Sequence, residues 1–142
     1  MISVGPGSAV YVDANIFIYF IEGNPLFVEP ARAFLSQMDN VGARVITNEI
    51  TIAECLHRPA RGGNLEAIKA YERLFGGDEI ELIALDGALA KRAAMLGGAL
   101  RLKLIDAIHY LSAMERGCEF FVTNDAQFRS GPKLRVLRPF KT

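Results

Sequence analysis

Only two cysteines occur among the 142 residues, Cys55 and Cys118, and neither belongs to a CxxC pair or to a Cys/His ligand spacing. That argues against a disulfide framework and a sulfur-bound zinc site, so both are expected as reduced, buried thiols. Net charge is also lacking, because sixteen Lys and Arg balance sixteen Asp and Glu. A nucleic-acid binder usually carries a basic excess, so any binding surface must be a local patch. No apolar run approaches the ~20 residues of a membrane span, and Met1 to Gly7 has no charged segment of the kind that opens a secretory signal. A cytoplasmic chain with no membrane partner is therefore expected. There is no internal repeat, low-complexity tract or linker, which predicts one domain over residues 1–142. The hydrophobic fraction is 51% and the mean hydropathy +0.20, too apolar for disorder.

Short apolar runs alternate with helical periodicity along the chain. Ala9 to Val12 reads as a buried strand that stops at Asp13. Asn15 is placed as the cap of a helix from Ile16 to Glu22. Glu29-Pro30 opens a second helix, with Ala33, Phe34 and Met38 on its stripe. Arg44 to Thr47 is a strand. Asn48 caps a helix with Ile50, Ala53 and His57 on one stripe and Ile52 and Leu56 on another, ended by Pro59 and Gly62-Gly63. Asn64 caps a helix to Phe75, Glu79 to Ala84 is a strand, and Asp86 caps a helix ended by Gly97-Gly98. A helix from Ile105 to Arg116, a strand from Glu119 to Thr123 and an edge strand from Arg135 to Leu137 complete the chain. Strands alternating with helices of about ten residues predict a three-layer α/β/α domain with a mostly parallel central sheet.

Four acids stand in apolar surroundings: Asp13 after Ala-Val-Tyr-Val, Glu54 within Ile-Thr-Ile-Ala-Glu-Cys-Leu, Asp106 within Leu-Ile-Asp-Ala-Ile, and Asp125 after Phe-Phe-Val-Thr. Taking a carboxylate from water costs several kcal/mol, on the order of 2 or more, unless a cation or strong donors receive it. Asp13 and Asp125 fall at the carboxyl ends of predicted strands, where open parallel sheets collect ligands. Glu54 and Asp106 fall in the first halves of helices. Together they predict a site of hard oxygen donors for Mg²⁺ or Mn²⁺, suited to phosphodiester hydrolysis. The plain alternatives are a turn at Asp13, a short helix to Phe128 capped by Asp125, and a helix N-terminus complemented by Asp106. Asn15 is either a helix cap or a support for Asp13. His57 and His109 lack partners at ligand spacing and are read as ordinary helix residues. Arg58, Arg61, Arg101 and Lys103 are candidate phosphate contacts, with a solvated face as the alternative for the last two.

These residues resemble the motifs of PIN-domain nucleases, and among them the VapC-type toxins. Val12-Asp13-Ala14-Asn15-Ile16-Phe17 is similar to the opening D-x-N motif. Ile50 to Glu54, Leu104 to His109 and Val122 to Phe128 are similar to the second, third and fourth motifs, so the likeness spans nearly the whole chain. It implies a metal-dependent endoribonuclease whose acidic quartet is Asp13, Glu54, Asp106 and Asp125, supported by Asn15 and Thr123. It also implies a homodimer and a cognate antitoxin as partners, besides RNA. The competing readings are a housekeeping RNA-processing nuclease, which shares the site, and a silent interaction module, which gives no reason for four apolar-flanked acids. A phosphatase-like hydrolase would need D-x-D, and Asn15 stands at the second position.

Overall fold

The computed structural model describes residues 4–128, 130 and 134–140. Its strands are β1 (Ala9–Val12), β2 (Arg44–Asn48), β3 (Ile80–Ile83), β4 (Phe120–Val122) and β5 (Arg135–Leu137). They form one sheet in the order β3-β2-β1-β4-β5, and every neighbouring pair is parallel. Parallel neighbours require crossovers. α1 (Ala14–Glu22) and α2 (Val28–Val41) connect β1 to β2. α3 (Ile50–Gly62) and α4 (Leu65–Gly76) lead to β3, and α5 (Gly87–Leu100) and α6 (Leu104–Glu115) lead to β4.

Alternation along β1 divides the core between two faces. Val10 and Val12 pack with Phe17 of α1, Phe34 of α2, Cys55 of α3 and Tyr71 of α4. Ala9 and Tyr11 pack with Phe121 and with Ala113 of α6, and α5 docks on α6 through Leu89 and Ala93 against Ala107, Ile108 and Leu111. The expected three-layer arrangement is thus present, with a wholly parallel sheet. Its strand order reverses direction between β1 and β4, and the crevice beyond such a switch point is where open α/β sheets bind ligands.

Several local readings need correction. Asp13, not Asn15, caps α1, because its Oδ1 accepts from the Ala14 N–H at 2.8 Å. Pro59 does not end α3. It lies buried inside the helix, on a stripe with Thr51 and Cys55, so the face formed by Ile50, Ala53 and His57 is not the buried one. The helix gives up the one hydrogen bond that proline cannot donate and stops at Gly63, in the left-handed conformation. On α2 the buried stripe is Ala31, Phe34 and Met38, leaving Ala33 outside. Asp125 begins a turn and not a helix, its Oδ1 accepting from the Gln127 N–H.

Gly97-Gly98 does not end α5 either. Gly97 is buried where α5 meets α6, and a Cβ there would lie 3.1 Å from the Ala107 Cβ and 3.3 Å from the Leu102 carbonyl oxygen. Gly98 faces open space. The two glycines should therefore respond oppositely in thermal melts. Gly97→Leu should destabilise by about 1–3 kcal/mol through overpacking, whereas Gly98→Ala should stabilise by about 0.5–1 kcal/mol through helix propensity. Equal responses would show that α5 and α6 do not approach closely at Gly97.

Candidate active site

Asp13 sits where β1 meets the switch point. Its N–H extends the ladder to the Val122 carbonyl of β4 at 2.9 Å, and the residue is only 7% exposed. Oδ1 is taken by the α1 N-terminus, as above. Oδ2 accepts from the Thr123 hydroxyl at 2.7 Å, and the Asn15 amide lies 3.4 Å from both that oxygen and the Thr123 Oγ1. The Val12–Val122 pairing places Thr123 beside Asp13. Burial raises the Asp13 pKa above the usual carboxylate range, against the opposing effects of His109 and the Thr123 hydroxyl. Thr123 and Asn15 are thus the two polar side chains gathered at Asp13 Oδ2.

Glu54 reaches the same point from α3. Its Oε1 lies 2.6 Å from His109 Nε2, and that nitrogen is 3.5 Å from Asp13 Oδ1. His109 is fully enclosed on α6, and its Nδ1 meets the Tyr11 hydroxyl at 2.7 Å. Burial alone would lower the imidazole pKa. The hydrogen bond with Glu54 and the charges of Asp13, Glu54 and Asp106 outweigh it, and the net shift is upward. This corrects the reading of His109 as an ordinary helix residue. His57, by contrast, is exposed on α3.

Asp106, in the first turn of α6, is half-buried. Partial desolvation raises its pKa, and the nearby charges of Asp125 and Asp13 raise it further. Asp125 stands on the turn after β4, with its N–H donating to the Thr123 hydroxyl at 2.9 Å. The Arg138 guanidinium donates to the Asp125 and Phe128 carbonyls and holds that turn to the chain beyond β5. Asp13 and Glu54 meet through His109, while Asp106 feels the charges of both Asp13 and Asp125. Arg58 lines an open groove with Glu54, His57 and Ile105. Arg61, Arg101 and Lys103 are exposed, and Lys103 lowers the Asp106 pKa by its charge.

The donor set suits a small, hard divalent cation. Ligand atoms of Asp13, Glu54 and His109 lie within 4.8 Å of one another, and further carboxylates stand nearby. Crowded acids whose ionised forms are disfavoured by burial and mutual repulsion have a use for positive charge. A family model described as the PIN domain matches residues 10–134. The chain belongs to the PIN domain family.

Solved structures with this PIN fold include a toxin–antitoxin complex from Klebsiella pneumoniae. It is 20% identical with a TM-score of 0.70, over 95% of this chain and 100% of that one. VapBC2 from Rickettsia felis, bound to a DNA fragment from its promoter, is 17% identical with a TM-score of 0.70, covering 91% and 97%. VapC20 from Mycobacterium tuberculosis, described as a toxin that cleaves the sarcin–ricin loop, is 12% identical with a TM-score of 0.67, covering 79% and 86%. At these identities the likeness is one of fold. The search among curated proteins returned no match.

His109 is the residue that sequence reasoning missed. Its partners lie 55 and 98 positions away, beyond any local pattern. One signal was available: Asp106 and His109 are three apart on a helix and so share a face. Within the PIN site, Thr123 is the shared anchor of Asp13 and Asp125. Thr123→Val keeps the shape but leaves a buried carboxylate oxygen and a backbone N–H without their partner. It should lower stability by about 1–3 kcal/mol, read as a lower urea midpoint with unchanged slope, and Thr123→Ser should lose less. An unchanged midpoint for Thr123→Val would show that the hydroxyl does not support the site.

Proposed function

We propose that this PIN domain is a Mg²⁺- or Mn²⁺-dependent endoribonuclease and the toxin of a toxin–antitoxin pair. The observation that carries the reading is the approach of Asp13 and Glu54 through His109 at the switch point of the sheet, with Asp106 near enough to feel the charges of Asp13 and Asp125. These four carboxylates would hold the cation, with Asn15 and Thr123 orienting Asp13. When bound, the metal supplies the charge that activates water and steadies the leaving oxygen of a phosphodiester. The four basic residues Arg58, Arg61, Arg101 and Lys103 would draw RNA phosphates toward the acids. None of them forms an ion pair among the described residues, whereas Arg32, Arg44, Arg92 and Arg116 do.

Two of the similar structures are toxin–antitoxin assemblies, which supports a protein antitoxin as partner here. An inhibitory segment that offers Arg or Lys to the carboxylates would block them by charge. A homodimer and a cytoplasmic setting accompany this reading. Among the described residues no helix is long and apolar enough to cross a membrane.

Purified protein should cleave RNA with Mn²⁺ or Mg²⁺ and stop when EDTA is added. Asp13→Asn, Glu54→Gln and Asp106→Asn should each lose on the order of 10²-fold or more in rate, and Asp125→Asn less. Undiminished cleavage in EDTA would overturn metal dependence. Cleavage without growth arrest on expression would favour an RNA-processing role over a toxin.

Substrate contact has its own readout. Arg58→Ala with Arg61→Ala, and separately Arg101→Ala with Lys103→Ala, should weaken RNA binding and flatten its dependence on salt. Mn²⁺ affinity should change little in either pair. An unchanged salt slope would assign those side chains to a solvated surface.

A further inference from the structure

His109 offers one nitrogen to the carboxylates, and the proton on that nitrogen decides what it can do. The opposite nitrogen settles the matter. Tyr11 is fully buried in β1, and its hydroxyl oxygen already accepts from the Asn48 N–H at 3.0 Å. The short hydrogen bond left to that hydroxyl is with His109 Nδ1 at 2.7 Å, since the neighbouring Thr47 hydroxyl is engaged with the Val12 carbonyl and the Thr51 hydroxyl. A buried hydroxyl proton needs an acceptor, and here the acceptor is Nδ1. With Nδ1 accepting, the neutral ring carries its hydrogen on Nε2. A protonated ring carries it there as well. In both forms Nε2 donates to Glu54 Oε1 at 2.6 Å and has no lone pair for a metal.

The rest of the pocket holds this arrangement still. The Tyr11 ring stacks on Phe121 with centroids 5.1 Å apart and meets the His109 ring edge-on at 5.7 Å. Asn48 is fixed by its amide donating to the Ser112 hydroxyl at 2.9 Å and by its Oδ1 accepting from the Ile50 N–H at 2.8 Å. Spacing agrees with a donor role. Two adjacent ligands of an octahedral Mg²⁺ at ~2.1 Å would stand about 3 Å apart, wider than the separation of Nε2 and Oε1. Small hard cations also prefer oxygen to imidazole.

We infer that His109 is a positioning residue and not a metal ligand: its Nε2–H, aimed by the buried Tyr11 hydroxyl, holds the Glu54 carboxylate beside Asp13 and presets that pair for a divalent cation. The inference rests on the metal-site reading given above. The donated hydrogen also screens the two carboxylates from each other before a cation arrives. Tyr11, Asn48 and Ser112 extend the support through β1, β2 and α6, so the geometry of an exposed groove is set from inside the core.

Calorimetric titration with Mn²⁺ tests this without recourse to catalysis. His109→Leu should weaken binding by about 10–100-fold, the range usual for loss of a group that orients a metal ligand. His109→Gln carries an amide N–H that can serve Glu54 in place of the ring, so it should stay within roughly threefold of the unaltered protein. Tyr11→Phe should fall between the two. Long-range ¹H–¹⁵N spectra of the unaltered protein should show Nε2 carrying a hydrogen both before and after Mg²⁺ is added. Loss of that hydrogen on Mg²⁺ binding, with His109→Gln as weak as His109→Leu, would make His109 a ligand and overturn the inference. Equal Mn²⁺ affinity in a folded His109→Leu would overturn it too, while leaving the metal site standing. If His109→Leu does not fold, His109→Gln and the spectra decide. An unaltered protein that binds neither ion would remove both readings together.

Discussion

Burial of the Asp13 carboxylate is the constraint on which the rest of the site depends. A carboxylate at the junction of β1 and β4 is nearly out of water, and its charge must be met by donors. Its hydrogen bonds come from separate parts of the chain, the Ala14 N–H at the start of α1 and the Thr123 hydroxyl after β4, and the His109 ring on α6 stands 3.5 Å away. The last two belong to parts of the chain that carry another acid. β4 leads to Asp125, α6 carries Asp106, and through His109 the Asp13 carboxylate is tied to Glu54 on α3. The parallel register of β1 with β4 and the placement of the four acids are therefore one problem, solved by the same contacts.

Much of this was legible in the chain, for identifiable reasons. β1 begins and ends where its apolar run does, because a strand buried on both faces needs uninterrupted apolar residues and a charged residue ends it. The four acids stood out because their flanking residues are apolar, and apolar flanks mean desolvation. Errors arose where tertiary contact overrode a local rule. Asn15 is a good cap by type, but Asp13 is held in place by β4 and takes the role two residues earlier. Pro59 and Gly97 read as helix breakers. Pro59 continues a buried stripe on α3, and Gly97 gives α6 its close approach to α5. His109 was invisible because an imidazole in an apolar helix shows its function only when Tyr11 and Glu54 arrive from distant positions.

Zero net charge looked unfavourable for the proposed action on a polyanion. The spatial arrangement removes the difficulty. Arg44 and Arg116 share Glu81, Arg92 binds Glu115, and Arg32 binds Glu29, all at the surface. Such exposed pairs add little stability, yet among the described residues they engage four arginines away from the acids. The cations left without such pairs among the described residues include Arg58 in the groove with Glu54 and Lys103 beside Asp106. A whole-chain count averages a paired surface with an unpaired one and so conceals local charge, which is what long-range attraction of phosphates requires.

The four acids are not held with equal firmness, and the difference follows from where each donor originates. Glu54 and Asp106 are carried on helices, and Asp13 is fixed by a strand end and a helix start. Asp125 alone stands on a turn, joined to the site through the Thr123 hydroxyl and to the chain beyond β5 through Arg138. That hydroxyl gives its one hydrogen to Asp13 Oδ2, while its lone pairs face the Asp125 N–H and the Asn15 amide. A hydroxyl has one donor and two acceptor positions, so Thr123 is fully used. The Asp13 carboxylate and the backbone of Asp125 are thus referred to a single buried hydroxyl, so the turn that carries the fourth acid is anchored to the first.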